Sequence, residues 1–184
     1  MILSPYDRAW PSEFAALRAV YAAALGDLVL AIEHVGSTAV PGLAAKPILD
    51  IDLVMPDYAV FPAIVAALGQ LGYTHNGDQG IFQREAFKSK PGIAAPFTEP
   101  ARPWTPHHLY VCPADGAELD RHLRFRDALR ADPALCTEYE TIKHSIAARS
   151  GGDRKTYAQI KETECREFIA RVLGRHSSPI SSQI

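Results

Sequence analysis

Residues 34–54, HVGSTAVPGLAAKPILDIDLV, decide the fold class because they place a Gly-Ser turn ahead of two aspartates that alternate with aliphatic residues. From Ile48 to Val54 the sequence is apolar except for Asp50 and Asp52, and prolines bound this run, so it predicts a buried β-strand. Residues i and i+2 of a strand lie about 6.6 Å apart on one face. Both carboxylates are therefore expected to leave the same face and to converge on one or two divalent cations.

Two adjacent, partly buried carboxylates repel each other and lose hydration. Without a cation, at least one of them is expected to have a raised pKa. Mg²⁺ suits this chemistry because it binds a few carboxylate oxygens together with water and the phosphate oxygens of a substrate. Asp50 and Asp52 therefore predict a site for Mg²⁺, with Mn²⁺ as the other candidate ion, and a nucleotide or another phosphate ester close by.

The turn at Gly36, Ser37 and Thr38 is a candidate phosphate cradle. It follows the apolar run 27–35, a predicted first strand, and α/β proteins usually bind ligands at strand ends. Gly36 lets the backbone approach a ligand closely, while Ser37 and Thr38 offer hydroxyl and amide donors. Lys46 is a candidate phosphate partner, although an exposed lysine usually serves solubility. Neither a P-loop motif nor GxGxxG occurs in the chain.

Several motifs carry a resemblance to known families. Gly36-Ser37 followed by Asp50-Ile51-Asp52 resembles the signature of the nucleotidyltransferase superfamily that includes DNA polymerase beta. HVGSTAVPGLAAKPILDID together with HHLYV at 107–111, RHLRFRD at 121–127 and the C-terminal pattern DR…Y…K…FI at 153–169 resembles the GrpB family over nearly the whole chain. The resemblance implies an α/β (α+β) fold, a nucleotidyltransferase-like mixed β-sheet flanked by helices, with a helical C-terminal part.

The catalytic set that this resemblance implies is incomplete in one respect. The superfamily commonly places a third carboxylate on a later strand beside the Asp-x-Asp strand, where this chain has His107-His108-Leu109-Tyr110. Glu33 on the first strand or Glu85 on a predicted strand over 81–87 could replace that acid in space. Alternatively, His108 could be the base that deprotonates an attacking hydroxyl, since histidine titrates near neutral pH; a structural histidine is the ordinary alternative.

Three further cationic side chains are candidates for phosphate binding. Arg84 is expected to hold a triphosphate, because an arginine on the buried side of a strand requires an anionic partner. In the cluster at 121–126 most arginines are expected to be solvated. We expect one functional member at most, with His122 or Arg126 favoured because the family resemblance includes the whole string HLRFRD.

The composition limits the domain organisation and the binding partners that are expected for the chain. Its 184 residues, 47% of them hydrophobic, suit one domain over residues 1–174, with a core over 1–112 and C-terminal helices over 116–174, followed by a flexible tail over 175–184. A formal net charge of −2 gives no basic field for nucleic acid or anionic membranes, so small ligands are favoured. The three cysteines lack the spacing of a zinc or disulfide framework.

Neither a signal peptide nor an apolar stretch of about 20 residues is present, so we expect a cytoplasmic protein without a membrane segment. The proline-rich segment 88–106 is long for a connection within a domain and is expected to border the site. Phe97 and Trp104 are its candidate surfaces for stacking a base, with pinning of the loop to the core as the alternative.

The sequence therefore predicts a nucleotidyltransferase that moves a nucleoside monophosphate from a magnesium–nucleoside triphosphate complex to a hydroxyl of an unidentified small acceptor. Asp50, Asp52 and His108 are the predicted catalytic residues. The alternative is a non-catalytic protein on the same fold that binds or senses a nucleotide or phosphorylated metabolite. Retention of two repelling acids favours catalysis, whereas the missing third acid favours binding alone.

Overall fold

A computed structural model describes residues 3–90 and 95–175 of the chain. Its centre is a five-stranded mixed sheet in the order β1-β2-β5-β4-β3. β2 and β5 run parallel, whereas the other neighbouring pairs are antiparallel. The strands are β1 (Ala31–Val35), β2 (Leu49–Met55), β3 (Tyr73–His75), β4 (Glu85–Ser89) and β5 (His107–Pro113). The predicted mixed sheet with flanking helices is thus confirmed.

A capping residue marks the boundary between two of the C-terminal helices. Asp132 accepts hydrogen bonds from the amides of Ala134 and Leu135 at 2.8 and 3.4 Å, and Pro133 fits the first helical turn, so one helix stops and the next starts here. The helices are α1 (Trp10–Leu25), α2 (Phe61–Gln70), α3 (Ala117–Ala131), α4 (Pro133–Arg149) and α5 (Arg154–Arg175). None of the helices in the described ranges is long and apolar enough to cross a membrane.

The two faces of the sheet have different surroundings because alternate residues of β2 point in opposite directions. Leu49, Ile51 and Leu53 are fully buried in a core with α1 and α2. A second apolar cluster joins α3, α4 and α5 to the segment that follows the Gly-Ser turn, through Val40 and Leu43. The C-terminal helices are therefore anchored beside the face of the sheet that carries Asp50 and Asp52.

The predicted strand over 81–87 starts later than expected. Residues 81–83 form a turn, and Gln79 and Gln83 have positive φ angles of 55° and 61°, which interrupt an extended backbone. β4 therefore begins at Glu85, and Arg84 precedes the strand.

The loop residue Trp104 is half-buried against the core, and its indole Nε1 donates to the Pro96 carbonyl oxygen at 2.9 Å, which matches the pinning alternative. Phe97 is 49% exposed. Residues 91–94 of this loop and 176–184 of the predicted tail lie outside the described residues.

Candidate active site

The two aspartates share one face of β2 and meet β5 across a parallel pair. Asp50 lies opposite His108, and Asp52 lies opposite Tyr110. Asp52 is fully buried, whereas Asp50 is half-buried. Burial raises the pKa of Asp50, although the positive charges available on His108 and Lys161 oppose that shift. His108 therefore stands beside Asp50, on the face where its predicted role as a base requires it to be.

Gly36 packs directly against Asp50. Its φ angle is +72°, and a Cβ atom at this position would lie 2.2 Å from Asp50 Oδ2. Only glycine permits both this backbone conformation and this approach. Ser37 follows at the start of a short 3₁₀ turn and lines the adjacent cavity. Thr38 is buried, and its hydroxyl is hydrogen-bonded to His34 Nε2 at 3.0 Å, so that hydroxyl is already engaged within the protein.

Asp52 has one bonded oxygen and one unbonded oxygen. His122 Nδ1 donates to Asp52 Oδ2 at 2.7 Å, and His122 Nε2 lies 3.1 Å from Glu118 Oε1. Burial opposes a charge on this imidazole, but its hydrogen bonds to Asp52 and Glu118 raise the pKa of His122 to about 9. Among the described residues, none donates to Asp52 Oδ1, although this oxygen is buried. Buried polar atoms usually have a partner, so this oxygen is suited to a ligand.

This pair of aspartates fits a divalent cation that is shared with a substrate. No group of three or more His, Cys, Asp or Glu side chains able to hold a metal ion occurs within 3–90 and 95–175. Two carboxylates alone do not make an all-protein cage. Mg²⁺ is commonly bound through one or two carboxylates plus water and substrate phosphates. Asp50 and the buried Oδ1 of Asp52, which has no donor among the described residues, match that kind of site.

A cavity of about 1100 Å³ opens between this face of the sheet and the C-terminal helices. Asp50, His108 and Tyr110 line its sheet side, and Tyr139 and Tyr157 line its helical side. Six cationic side chains also line it, namely Lys46, Arg84, Arg121, Lys143, Lys161 and Arg166, against two carboxylates, Asp50 and Glu162. Arg121 is paired with Glu118, but the lining still has more cationic than anionic side chains, so the cavity is suited to a polyanion.

Lys143 and Lys161 are cavity residues that sequence reasoning did not select. Lys143 is buried, donates to the Ala44 carbonyl oxygen, and lies 4.9 Å from the centre of the Tyr139 ring. Burial and the charge of Lys161 lower the pKa of Lys143 to about 7, while Tyr139 and Asp50 raise the pKa of Lys161. The available signal was a tyrosine four residues before each lysine, a spacing that places both side chains on one helix face.

Arg84 and Lys46 lie at the cavity, as their predicted role requires. The guanidinium carbon of Arg84 lies 4.5 Å from the centre of the Tyr110 ring. Its Nε atom is buried and finds no hydrogen-bond partner among the described residues. The ammonium nitrogen of Lys46 lies 4.4 Å from the centre of the Tyr157 ring. Both cations are therefore stacked on aromatic rings at the edge of the cavity.

Arg126 and His122 are not among the residues that line the cavity. Arg126 donates to Glu33 Oε2 at 2.6 Å and to the His34 carbonyl oxygen at 3.1 Å, and so joins α3 to β1. His122 contacts Asp52 rather than the space that a phosphate would occupy. The structure therefore gives these two side chains contacts within the protein in place of the predicted phosphate contacts.

Neither alternative acid completes a carboxylate triad. Glu33 lies opposite Asp52 on β1, but its carboxylate is paired with Arg126. Glu85 lies opposite Val111 and thus points to the other face of the sheet. There it bonds His75 Nε2 at 2.7 Å and accepts from the Tyr58 hydroxyl at 3.1 Å. Of the three candidates for the third position, His108 is the one that adjoins both Asp50 and the cavity.

Comparison with known proteins agrees with this architecture. A family model described as "GrpB protein" matches residues 1–174. The chain belongs to the GrpB family. The UPF0157 protein PA4798 of Pseudomonas aeruginosa is 42% identical over 172 residues, which are 93% of this chain and 65% of that protein's length. The crystal structure of conserved protein GrpB from Enterococcus faecalis has a TM-score of 0.78 at 27% identity and covers 96% of this chain and 100% of that one.

A nucleotidyltransferase of known structure has a similar fold. The poly(U) polymerase Cid1, in a structure bound to MgGTP, has a TM-score of 0.54 at 13% identity, over 80% of this chain and 45% of that one. At this identity the likeness establishes the fold alone. The predicted GrpB membership and nucleotidyltransferase-like fold are both confirmed.

Proposed function

We propose that this protein is a metal-dependent nucleotidyltransferase that transfers a nucleoside monophosphate from a nucleoside triphosphate to a hydroxyl of a small acceptor. One observation carries the proposal. Asp50 lines a cavity that has six cationic side chains, and Gly36 packs against this aspartate. Asp52 does not line the cavity but shares the same face of β2, and its buried Oδ1 has no donor among the described residues. Carboxylates for a cation and positive charge for phosphates are the two requirements of such chemistry.

In this proposal the phosphates of the nucleotide bind between the Gly-Ser turn and the lysines of the C-terminal helices. The Ser37 hydroxyl and the ammonium groups of Lys143 and Lys161 face the same cavity and hold phosphate oxygens. Asp50 and Asp52 would hold Mg²⁺, which when bound neutralises phosphate charge and polarises the phosphorus centre. Arg84 contributes positive charge from the sheet side, where its Nε is free to donate.

The transfer step assigns a separate role to His108. The acceptor hydroxyl loses its proton to the imidazole of His108, and its oxygen bonds to the α-phosphorus. The bond from that phosphorus to the bridging oxygen breaks, and pyrophosphate leaves with the electron pair. Lys161 and Arg84 stabilise the charge that develops on the leaving group. His108 is exposed at the cavity and faces Asp50, so an acceptor can reach it.

The size and charge of the site favour a small acceptor. A volume of about 1100 Å³ exceeds the roughly 300–1000 Å³ of a usual ligand pocket, so two small molecules can occupy it together. The formal net charge of −2 gives no overall positive charge that would attract a nucleic-acid chain. We therefore expect an acceptor of metabolite size.

Calorimetric titration of ATP, GTP, CTP and UTP, with and without Mg²⁺, tests the nucleotide site. The double variant Asp50→Asn/Asp52→Asn removes both charges at nearly constant size and should lose magnesium-dependent binding. Glu162→Gln is the matched control, because it neutralises the other carboxylate of the cavity without changing β2. Absence of binding of any nucleoside triphosphate by the wild type would refute the proposal. If binding is found, pyrophosphate release is then measured over a panel of hydroxyl acceptors.

The second candidate function is binding of a nucleotide or phosphorylated metabolite without transfer. The observation that favours it is the histidine and tyrosine of β5 opposite Asp50 and Asp52, where a third carboxylate would otherwise stand. Glu33, the nearest acid by register, is already paired with Arg126. Saturable, magnesium-dependent binding with no pyrophosphate release over the full acceptor panel would support this candidate over transfer.

A further inference from the structure

Asp52 is the last member of a series of hydrogen-bonded side chains, and the other members lie on α3. His122 bridges Asp52 and Glu118 through its two ring nitrogens, at 2.7 and 3.1 Å. Glu118 in turn accepts two hydrogen bonds from Arg121, at 2.8 Å from Nε and 2.6 Å from the terminal nitrogen. The side chains of Asp52, Glu118 and His122 are 0, 11 and 18% exposed. These four residues, Asp52, His122, Glu118 and Arg121, form what we call the α3 chain.

The geometry of the α3 chain leaves little freedom to any of its members. Both nitrogens of His122 face carboxylate oxygens, which only accept, so both nitrogens must donate and the ring has a single favourable orientation. The planar fork of Arg121 fixes the Glu118 carboxylate in the same way. Asp52 Oδ2 is consequently engaged, whereas its buried Oδ1 has no donor among the described residues.

We propose that His122 and Glu118 are positioning residues that fix Asp52 so that its Oδ1 faces the divalent cation. His122 acts through Asp52, and Glu118 acts through His122. The inference rests on the proposed function because the cation is the ligand for which Oδ1 is kept free. Outer partners of this kind hold a ligating group in the orientation that the metal requires, and their loss usually weakens metal binding by about 10–100-fold.

The replacements that test this role differ in the donor that they retain. His122→Leu removes both hydrogen bonds and leaves a buried carboxylate without any donor, so Mn²⁺ affinity should fall about 10–100-fold. His122→Asn keeps an amide donor near the place of Nδ1 and should restore most of that loss. His75→Leu is the matched control, because it breaks a histidine–glutamate pair of 2.7 Å on the opposite face of the sheet. It should lower stability and leave Mn²⁺ affinity unchanged.

The experiment is a Mn²⁺ titration of the full chain, with and without a non-hydrolysable nucleoside triphosphate. Free Mn²⁺ is measured by its electron paramagnetic resonance signal. Thermal unfolding of each variant is recorded alongside. Equal Mn²⁺ affinity in wild type and His122→Leu would overturn the positioning role while the proposed function stands. If the wild type binds no Mn²⁺ under either condition, the proposed function fails and the positioning role fails with it.

A further variant keeps the test decisive if His122→Leu does not fold. Glu118→Ala leaves His122 and Asp52 in place but frees the imidazole to rotate, because its Nε2 loses the carboxylate at 3.1 Å. Mn²⁺ affinity should then fall by about tenfold. An affinity equal to that of the wild type would overturn the role of Glu118 and, with it, the proposal that the α3 chain positions Asp52.

Discussion

Replacement of Gly36 by alanine tests the contact on which the site depends. The added Cβ would lie 2.2 Å from Asp50 Oδ2, whereas real Cβ contacts essentially never fall under 3.0 Å. The Asp50 carboxylate or the turn must therefore move by about 0.8 Å. A displacement of about 1 Å at a reacting centre can cost about 100-fold in rate, and we expect a loss of that order in pyrophosphate release.

The same chain contains a control that separates backbone strain from the clash. Gly42 has a φ angle of +82°, but a Cβ there would meet nothing within 4 Å. Gly42→Ala should therefore cost only the left-handed backbone strain, about 1–2 kcal/mol in the free energy of unfolding. Gly36 combines a φ of 72° with a ψ of −170°, a conformation essentially restricted to glycine, so Gly36→Ala should cost about 1–3 kcal/mol of backbone strain plus about 1–3 kcal/mol of overpacking.

Two measurements decide between these expectations. Urea denaturation gives the free energies of unfolding, and calorimetry gives the affinity for a nucleoside triphosphate with Mg²⁺. We expect Gly42→Ala to bind like the wild type and Gly36→Ala to bind far more weakly. If the two variants lost equal stability and both kept wild-type affinity, the close contact between Gly36 and Asp50 would not exist in solution.

Three further predictions follow from the cavity. Lys161→Met should weaken binding of a nucleoside triphosphate about 10–100-fold, because one charge-assisted hydrogen bond contributes about 1.5–3 kcal/mol. Binding of the corresponding nucleoside, measured in parallel titrations, should not change. An equal loss of affinity for both ligands would contradict a phosphate contact. His108→Ala should lower the rate of pyrophosphate release at least about 100-fold at unchanged nucleotide affinity; an unaltered rate would remove His108 as the base. Because the pKa of Lys143 is lowered to about 7 from 10.5, the unfolded chain binds more protons there above pH 7 than the folded protein does, so this side chain makes stability rise with pH. The Tm of the wild type relative to Lys143→Met should therefore increase from about pH 7 to about pH 9, and a constant difference would refute the shift.

Local patterns in the sequence were sufficient to predict the centre of this site. The apolar run 48–54 that carries Asp50 and Asp52 is short and lies between two prolines, which favours a strand over a helix and places both acids on one face. Gly36 was predictable for the same reason, because a glycine after a strand marks a turn or a close approach. These features depend on neighbours within a few residues, and the structure retains them.

Long-range contacts decided the features that the sequence did not reveal. Arg126 and His122 share α3 with Arg121, but the sequence alone did not specify that Arg121 lines the cavity while Arg126 binds Glu33. Glu85 could not be assigned to a face, because the face follows from its register with Val111. Lys143 lies 99 positions from Ala44, the residue whose carbonyl oxygen it meets. Such placements depend on tertiary packing rather than on local pattern.

The charges around Asp50 and Asp52 lead us to expect that a cation and a nucleotide bind cooperatively. Asp50 and Asp52 are the two carboxylates that share one face of β2, and His122 neutralises part of the charge of Asp52 through a 2.7 Å contact. Within the described residues, no third His, Cys, Asp or Glu completes a metal cluster. Lys143 and Lys161 line the cavity on the side of the C-terminal helices, where they offer donors to phosphate oxygens. A nucleoside triphosphate supplies oxygens to the cation and negative charge to the lysines at once. We therefore expect cation and nucleotide to strengthen each other's binding by the same factor, as linkage between two ligands requires.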